Sequence, residues 1–199
     1  MKRIIVFASH PDDETIGCGG SIAKHAREGD LITVVFFTSG KEGRETEAKE
    51  AAKILGVSKL EFLRFEDGFL SYSPESVEKV EKILEEVKPE LIYVPHELEG
   101  DLDHSNAFRI VSEVLKKFYH SKPTVLCYEV WTPIQAPSYY EDITNFTEIK
   151  KKAIEMHKSQ RTLFDFSKAA LSLNAYRGIM SGKGDYCEAF TVLKFEGKI

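Results

Sequence analysis

Two short stretches of the chain carry side chains able to do chemistry. The first is His10-Pro11-Asp12-Asp13-Glu14, an imidazole beside three carboxylates. The second, His96-Glu97-Leu98-Glu99-Gly100-Asp101-Leu102-Asp103-His104, again mixes imidazoles with acids. His10 and Asp13 on one tight turn, closed by the distant His104, would supply two imidazoles and one carboxylate. With the remaining position left to water, that set is typical of catalytic zinc. It also suits non-haem iron, so Zn2+ is the expected cofactor and Fe2+ or another divalent ion the alternative. Asp12, adjacent to a ligand but directed elsewhere, could then act as base toward metal-bound water. The plainer alternative is a helix cap or a turn, because Asp caps helices and Pro initiates turns. A second ligand-rich cluster argues against it, provided that the fold brings the two together.

The elements that must do so are readable from periodicity. Residues 4–8 form a continuous apolar run that leads straight to His10, as in a strand buried on both faces, and residues 31–37 repeat it. Residues 59–65, 91–94 and 124–130 read as further strands. Between the first two, Ile16, Gly19, Gly20 and Ala23 recur at helical spacing with a small apolar face that predicts a close approach to the sheet. Ala48, Ala51, Ala52 and Leu55 repeat the spacing, and Gly56 stops that helix. Ser73 caps a helix that begins with Pro74 and ends before Pro89. Ala107, Ile110, Val111, Val114, Leu115 and Phe118 make the clearest amphipathic helix.

This alternation predicts an α/β chain with an open, Rossmann-like, mostly parallel sheet and helices on both faces. In such sheets ligands bind outside the carboxyl ends of the strands, near the point where strand order reverses. The two clusters follow the first and fourth strands, so they face each other if those strands are neighbours. Residues 148–158 and 168–180 read as helices and 189–195 as a closing strand. A single domain over residues 1–199 is expected, with a core of residues 1–130 and an extension of residues 131–199 packed on it.

Composition removes several function classes. With 199 residues, 42% of them hydrophobic, the chain is neither disordered nor fibrous. Its 27 Lys+Arg against 32 Asp+Glu give a net charge of −5 with no basic stretch, so no nucleic-acid partner is expected. No apolar stretch is long enough to span a bilayer, and no membrane insertion is expected. Cys18, Cys127 and Cys187 lie far apart, which fits a reducing cytoplasm. Gly17-Cys18-Gly19-Gly20 raises a dinucleotide fingerprint, but the glycines come a full loop too late and the second strand ends in Phe37-Thr38 instead of an acid. His25 and His120, at helix ends, read as surface residues, and Trp131, Tyr139 and Tyr140 as core, subunit contact or a sugar-stacking platform.

Taken together, Ala8-Ser9 with the His-Pro-Asp-Asp-Glu segment, Gly17, Gly19 and Gly20, Thr38-Ser39-Gly40, Arg44, Glu47, residues 51–56, Asp103-His104, His157-Lys158-Ser159-Gln160 and Glu188-Ala189-Phe190 span most of the chain. This pattern resembles the LmbE-like (PIG-L) N-acetylglucosaminyl deacetylases, zinc hydrolases on a Rossmann-like fold. The resemblance implies that His10, Asp13 and His104 bind zinc and that Asp12 is the general base. It implies that Asp103 orients a neighbouring group and that Arg44, in the loop after the second strand, holds the substrate. The implied reaction is removal of the acetyl group from an N-acetylglucosamine-type amino sugar or glucosaminyl conjugate. A homo-oligomer is implied too, since the family often forms symmetric trimers or hexamers, with residues 131–140 available for a subunit contact.

One position departs from the family pattern. Its second motif usually reads His-x-Asp-His, with the first His stabilising the oxyanion or acting as an acid; here that catalytic position is Asp101. An ionised Asp101 would repel a developing oxyanion. Either it is held protonated, or another group such as His96 or Arg44 substitutes on the substrate, or the protein is slow on ordinary family substrates. A non-catalytic sugar-binding or assembly protein on the same fold is the alternative function. His96 follows Pro95 at a strand end and is either a replacement acid or a structural histidine. His157 reads as a helix residue outside the core, packed or closing over the pocket.

Overall fold

A computed structural model describes residues 1–117, 123–160 and 164–193. Strands β1 (Arg3–Ala8), β2 (Leu31–Thr38), β3 (Lys59–Phe65), β4 (Leu91–Pro95) and β5 (Thr124–Tyr128) run parallel. With β6 (Tyr139–Asp142) and β7 (Cys187–Val192) they form one sheet in the order β3-β2-β1-β4-β5-β7-β6, β7 lying antiparallel to both β5 and β6. Strand order reverses between β1 and β4, which pair with Ile4 opposite Leu91 and Val6 opposite Tyr93. The carboxyl ends that precede the two chemistry-bearing clusters are therefore adjacent.

Helices α1 (Asp13–Arg27), α2 (Arg44–Leu55), α3 (Pro74–Val87), α4 (Leu102–Lys117), α5 (Thr147–Ile154) and α6 (Phe166–Ser181) complete the described elements. Alternate β1 side chains enter two cores. Ile4, Val6 and Ala8 pack with Cys18 and Ile22 of α1 and with Ala51 and Leu55 of α2. Ile5 and Phe7 pack with Val80 and Leu84 of α3 and with Ile110 and Val114 of α4. Both faces of the strand are thus dry, the physical reason for its unbroken apolar run. The Ser73 cap with Pro74 behind it and the left-handed Gly56 stop (φ 77°) stand where the sequence puts them. Among the described residues no helix is long and apolar enough to cross a membrane, and all three cysteines are free and buried.

Several expectations need correction. The helix expected over residues 148–158 ends at Ile154, so His157 lies in the turn beyond it. Strand β6 was not expected: its four residues present two Tyr and two acids, with no long apolar alternation, and pair with β7 at the sheet edge. His25 is not a free surface residue, because Nδ1 lies 3.0 Å from Asp30 Oδ2 and Nε2 3.1 Å from Tyr93 Oη. Phe118, His120 and Phe195 lie outside the described residues.

The small face of α1 serves a different contact from the one expected. Cys18 (φ −140°, ψ 22°) interrupts the helix, so the amides of Gly20 and Ser21 are free to leave the helical ladder. Both donate to the Glu188 carboxylate at 2.8 Å, as does the Ser21 hydroxyl at 2.6 Å. Lys150 Nζ of α5 neutralises the same carboxylate at 2.7 Å, and both charged groups are fully buried. A Cβ on Gly20 would stand 2.7 Å from Ile143 Cβ, so Gly20 admits the segment before α5, while Gly17 is the residue that meets the sheet, against the Tyr128 ring. The arrangement is a buried anion held at the start of a helical segment and balanced by one cation. Glu188→Ala would leave Lys150 charged, buried and unpaired, at a cost of about 3–5 kcal/mol. Urea unfolding monitored by circular dichroism should register that loss, and an unchanged midpoint would show the pair to be dispensable.

Candidate active site

The turn after β1 is held from two sides. The Thr38 amide and hydroxyl both donate to the Ser9 carbonyl at 2.9 Å, and the Ser9 hydroxyl donates to the Asp103 carbonyl at 3.2 Å. This ties the ends of β1 and β2 to the start of α4. Asp13, the first residue of α1, is buried, and its Oδ2 accepts the His10 amide at 2.8 Å. The same oxygen lies 3.5 Å from His10 Nδ1 and 3.1 Å from His104 Nε2, and those two nitrogens are 3.2 Å apart. Two ligands about 2.0–2.2 Å from one tetrahedral ion are roughly 3.3–3.5 Å apart, so the triangle fits a single divalent cation with a fourth position to spare. His10, Asp13 and His104 could therefore hold a metal.

The groups behind this triangle fix its aim. His10 Nε2 lies 3.2 Å from Asp103 Oδ2, whose carboxylate also accepts the amides of Gly68 (2.7 Å) and Leu70 (3.0 Å). Asp103 thereby turns Nδ1 toward Asp13 and pins the loop after β3 in one stroke. Asp67 of that loop is half-exposed and approaches the same Nε2 at 3.1 Å. On the other side His104 Nδ1 is 3.6 Å from Glu99 Oε2, and Glu99 is held by the amides of Val130, Trp131 and Thr132 at 2.6, 3.2 and 3.1 Å.

Asp12 sits apart from the triangle on a strained backbone, φ 136° in a residue with a side chain. Burial above all, and the neighbouring Asp13 charge, push its carboxyl well above the usual range, with Arg44 opposing. Arg44 Nη2 donates to Asp12 Oδ1 at 3.1 Å and to the Pro11 carbonyl at 2.8 Å. Arg44 is thus no exposed loop residue: it opens α2 and is buried. Glu14 Oε2 accepts the Asp12 amide at 3.1 Å, and burial pushes its carboxyl up to about 8.

Residues 5–115 match the PIG-L family model, whose description is GlcNAc-PI de-N-acetylase. The chain belongs to the PIG-L family. A curated relative, diacetylchitobiose deacetylase of Thermococcus kodakarensis, is 28% identical over 80% of this chain and 70% of its own length. Other curated relatives are deacetylases of glucosaminyl conjugates of inositol and of malate. The conserved protein TT1542 of Thermus thermophilus superposes with a TM-score of 0.88 at 28% identity, covering 100% of this chain and 98% of that one. A 4-carboxy-2-hydroxymuconate hydratase of Pseudomonas putida shares the fold with a TM-score of 0.84 at 23% identity, covering 100% and 99%. The fold alone therefore does not choose the reaction.

Against the PIG-L pattern, two residues on the second cluster stand away from the triangle. Asp101 Oδ1 accepts the amides of Asp103 (2.8 Å) and His104 (3.2 Å), the bonds of a helix cap at the start of α4. His96 donates from Nε2 to the Thr132 carbonyl at 2.7 Å and accepts the Leu98 amide on Nδ1 at 3.2 Å, and its Nε2 also lies 3.4 Å from Glu99 Oε1. His157 is buried with both ring nitrogens unbonded, and its Nε2 lies 3.9 Å from Glu14 Oε1. Burial pushes that imidazole down to about 4. Sequence reasoning missed Glu99 and Glu14 as holders of the site. Their only signal was membership of the two acid-rich segments, where nothing separates them from Glu97.

The carboxylates around the triangle favour the protonated form of both imidazoles. Burial opposes charge on both imidazoles, but Asp13 raises His10 to about 9, and Asp13 with Glu99 raises His104 to about 11. Asp13 is held far below its ordinary value despite burial, by His104 and His10. Raised imidazoles stabilise the fold fully below pH 6.5 and lose that contribution as pH climbs through about 9 and 11; depressed Asp13 contributes above pH 3.8 and loses it on acidification. The cluster therefore favours the metal-free fold most between those two limits. If both imidazoles serve as ligands, binding of Zn2+ at pH 7 should release protons, because a ligating imidazole nitrogen must be deprotonated. Calorimetry in buffers of different ionisation enthalpy counts them. Near-zero release would remove the imidazoles from the ligand set.

Proposed function

We propose that this PIG-L chain is a metal-dependent N-deacetylase that removes the acetyl group from an N-acetylglucosamine-type amino sugar or glucosaminyl conjugate. The observation that carries the reading is the His10, Asp13 and His104 triangle with a separate buried carboxylate, Asp12, held beside it by Arg44. Zn2+ is the metal of this reading, with Fe2+ as alternative; bound there, it supplies a Lewis acid for the acetamide carbonyl and an acidified water of pKa about 7. Asp12 does the proton work. Arg44 engages Oδ1, so Oδ2 takes the proton from the attacking water and later delivers it to the departing amine. Burial suits that task by raising the basicity of the carboxylate toward neutrality. Asp103 and Glu99 are positioning residues, each acting through one imidazole.

Asp101 was the feature in favour of a sugar-binding protein without catalysis. Its use as the α4 cap accounts for it without that function. In this reading neither Asp101 nor His96 is a catalytic or substrate group, and Arg44 serves Asp12 before it serves substrate. The same reading takes the protein as a cytoplasmic homo-oligomer, with residues 131–140 available for the subunit contact; sedimentation velocity tests the association.

The deciding experiment is release of acetate and amine from N,N'-diacetylchitobiose and from aryl N-acetylglucosaminides by the zinc-loaded protein. Asp12→Asn should keep the metal and lose at least about 100-fold in kcat. Unchanged turnover would remove Asp12 from the mechanism, and sugar binding with no acetate release would return the binding-protein alternative. Asp101→Asn keeps the cap and should hold kcat within about threefold of the parent, since Asn and Asp cap equally well.

A further inference from the structure

We propose that a cavity beside the candidate active site, between α1, the segment after β5, and α6, is an aglycone subsite. It takes an uncharged, ring-shaped group bearing one hydrogen-bond donor. The assignment to substrate rests on the deacetylase reading above; the binding chemistry does not. The cavity holds about 280 Å³, and its walls include Ile16, Val130, Trp131, Phe166, Leu173 and Asn174.

Its place links it to the chemistry. Ile16 lies one turn beyond Asp13 on α1, and the amides of Val130 and Trp131 bind Glu99, the carboxylate behind His104. A substrate with its acetamide at the triangle extends its remainder toward this wall. The small side chains of Ala169 and Ala170 on α6 leave the space open. At the rim Trp131 is half-exposed and meets Phe166 edge-on with ring centroids 5.3 Å apart, a surface suited to a flat ring.

The polar content of the walls defines the occupant. Asn174 is 4% exposed; Nδ2 donates to the Cys187 carbonyl at 3.1 Å, while Oδ1 has no partner. A buried amide oxygen left unpaired is costly, and a donor on the occupant relieves it. Glu129 is already satisfied by Arg177 (3.1 and 2.7 Å) and by the Ile134 amide (2.7 Å). No lining residue is Lys, Arg or His. A conjugate ending in a carboxylate or phosphate would bury an unpaired anion there, so the subsite selects neutral rings.

Two independent arms test this on the zinc-loaded full chain. In the first, calorimetry compares indole, a ring with one N–H donor, with N-methylindole, which has none. Indole should bind at least about fivefold more tightly, and Ala170→Phe, which fills the cavity, should abolish binding. If that variant does not fold, Asn174→Leu should bring the two ligands to equal affinity. Equal affinity in the parent would mean that water serves Asn174, and no binding would overturn the site. In the second arm, 4-hydroxyphenyl N-acetyl-β-glucosaminide, whose neutral ring carries one O–H donor, should exceed the methyl glycoside by about tenfold or more in kcat/KM. Ala170→Phe should erase that preference; equal rates in the parent overturn the aglycone role. Indole binding as expected with neither glycoside hydrolysed would instead sink the deacetylase reading and the aglycone role, and leave the ring site standing.

Discussion

Because β1 pairs in parallel with both β2 and β4, the chain leaves one end of β1 between two neighbours whose crossover helices lie on opposite faces of the sheet. A crevice at that switch point follows from the connectivity, before any side chain is considered. The His-Pro-Asp-Asp-Glu turn starts at the end of β1, and the segment from His96 to His104 at the end of β4. Residues more than ninety positions apart thus meet within hydrogen-bonding distance, as His10 and His104 do at 3.2 Å.

Two buried charge clusters depend on that frame, and they divide the labour. In one, Glu188 and Lys150 hold the interrupted α1 to α5 and β7, using amides that the break at Cys18 releases. In the other, Asp13 faces two imidazoles whose outer nitrogens approach Asp103 and Glu99. The first is complete within the protein: every charge has its partner. The second gathers two imidazoles and a carboxylate around one point, where they could hold a divalent cation, whereas the first has no position left over.

The strain at Asp12 belongs to the same logic. A positive φ on a non-glycine residue is unfavourable, yet here it separates the Asp12 carboxylate from that of Asp13, its neighbour in sequence. One carboxylate turns to the imidazoles and the other to Arg44. Adjacent residues thereby acquire opposite electrostatic surroundings, one held ionised and the other pushed toward neutrality.

The sequence by itself determined the alternation of buried strands and helices, because apolar runs of strand length and helix-spaced faces are local properties. It also pointed to the candidate ligands, since two segments that follow strands concentrate imidazoles with acids. The tertiary structure alone decided the rest, for reasons of contact. The cap that Asp101 makes is local, but the Thr132 carbonyl that His96 bonds falls beside it only in the fold. Glu99 looks like any surface acid until β5 lays three amides against it. Strand β6 and the burial of Arg44 at the start of α2 were not legible, because a short polar edge strand and a charged helix start carry no periodic signal. That Asp13 faces His104 and Asp12 faces Arg44 depends on partners distant in sequence, which the chain acquires only on folding.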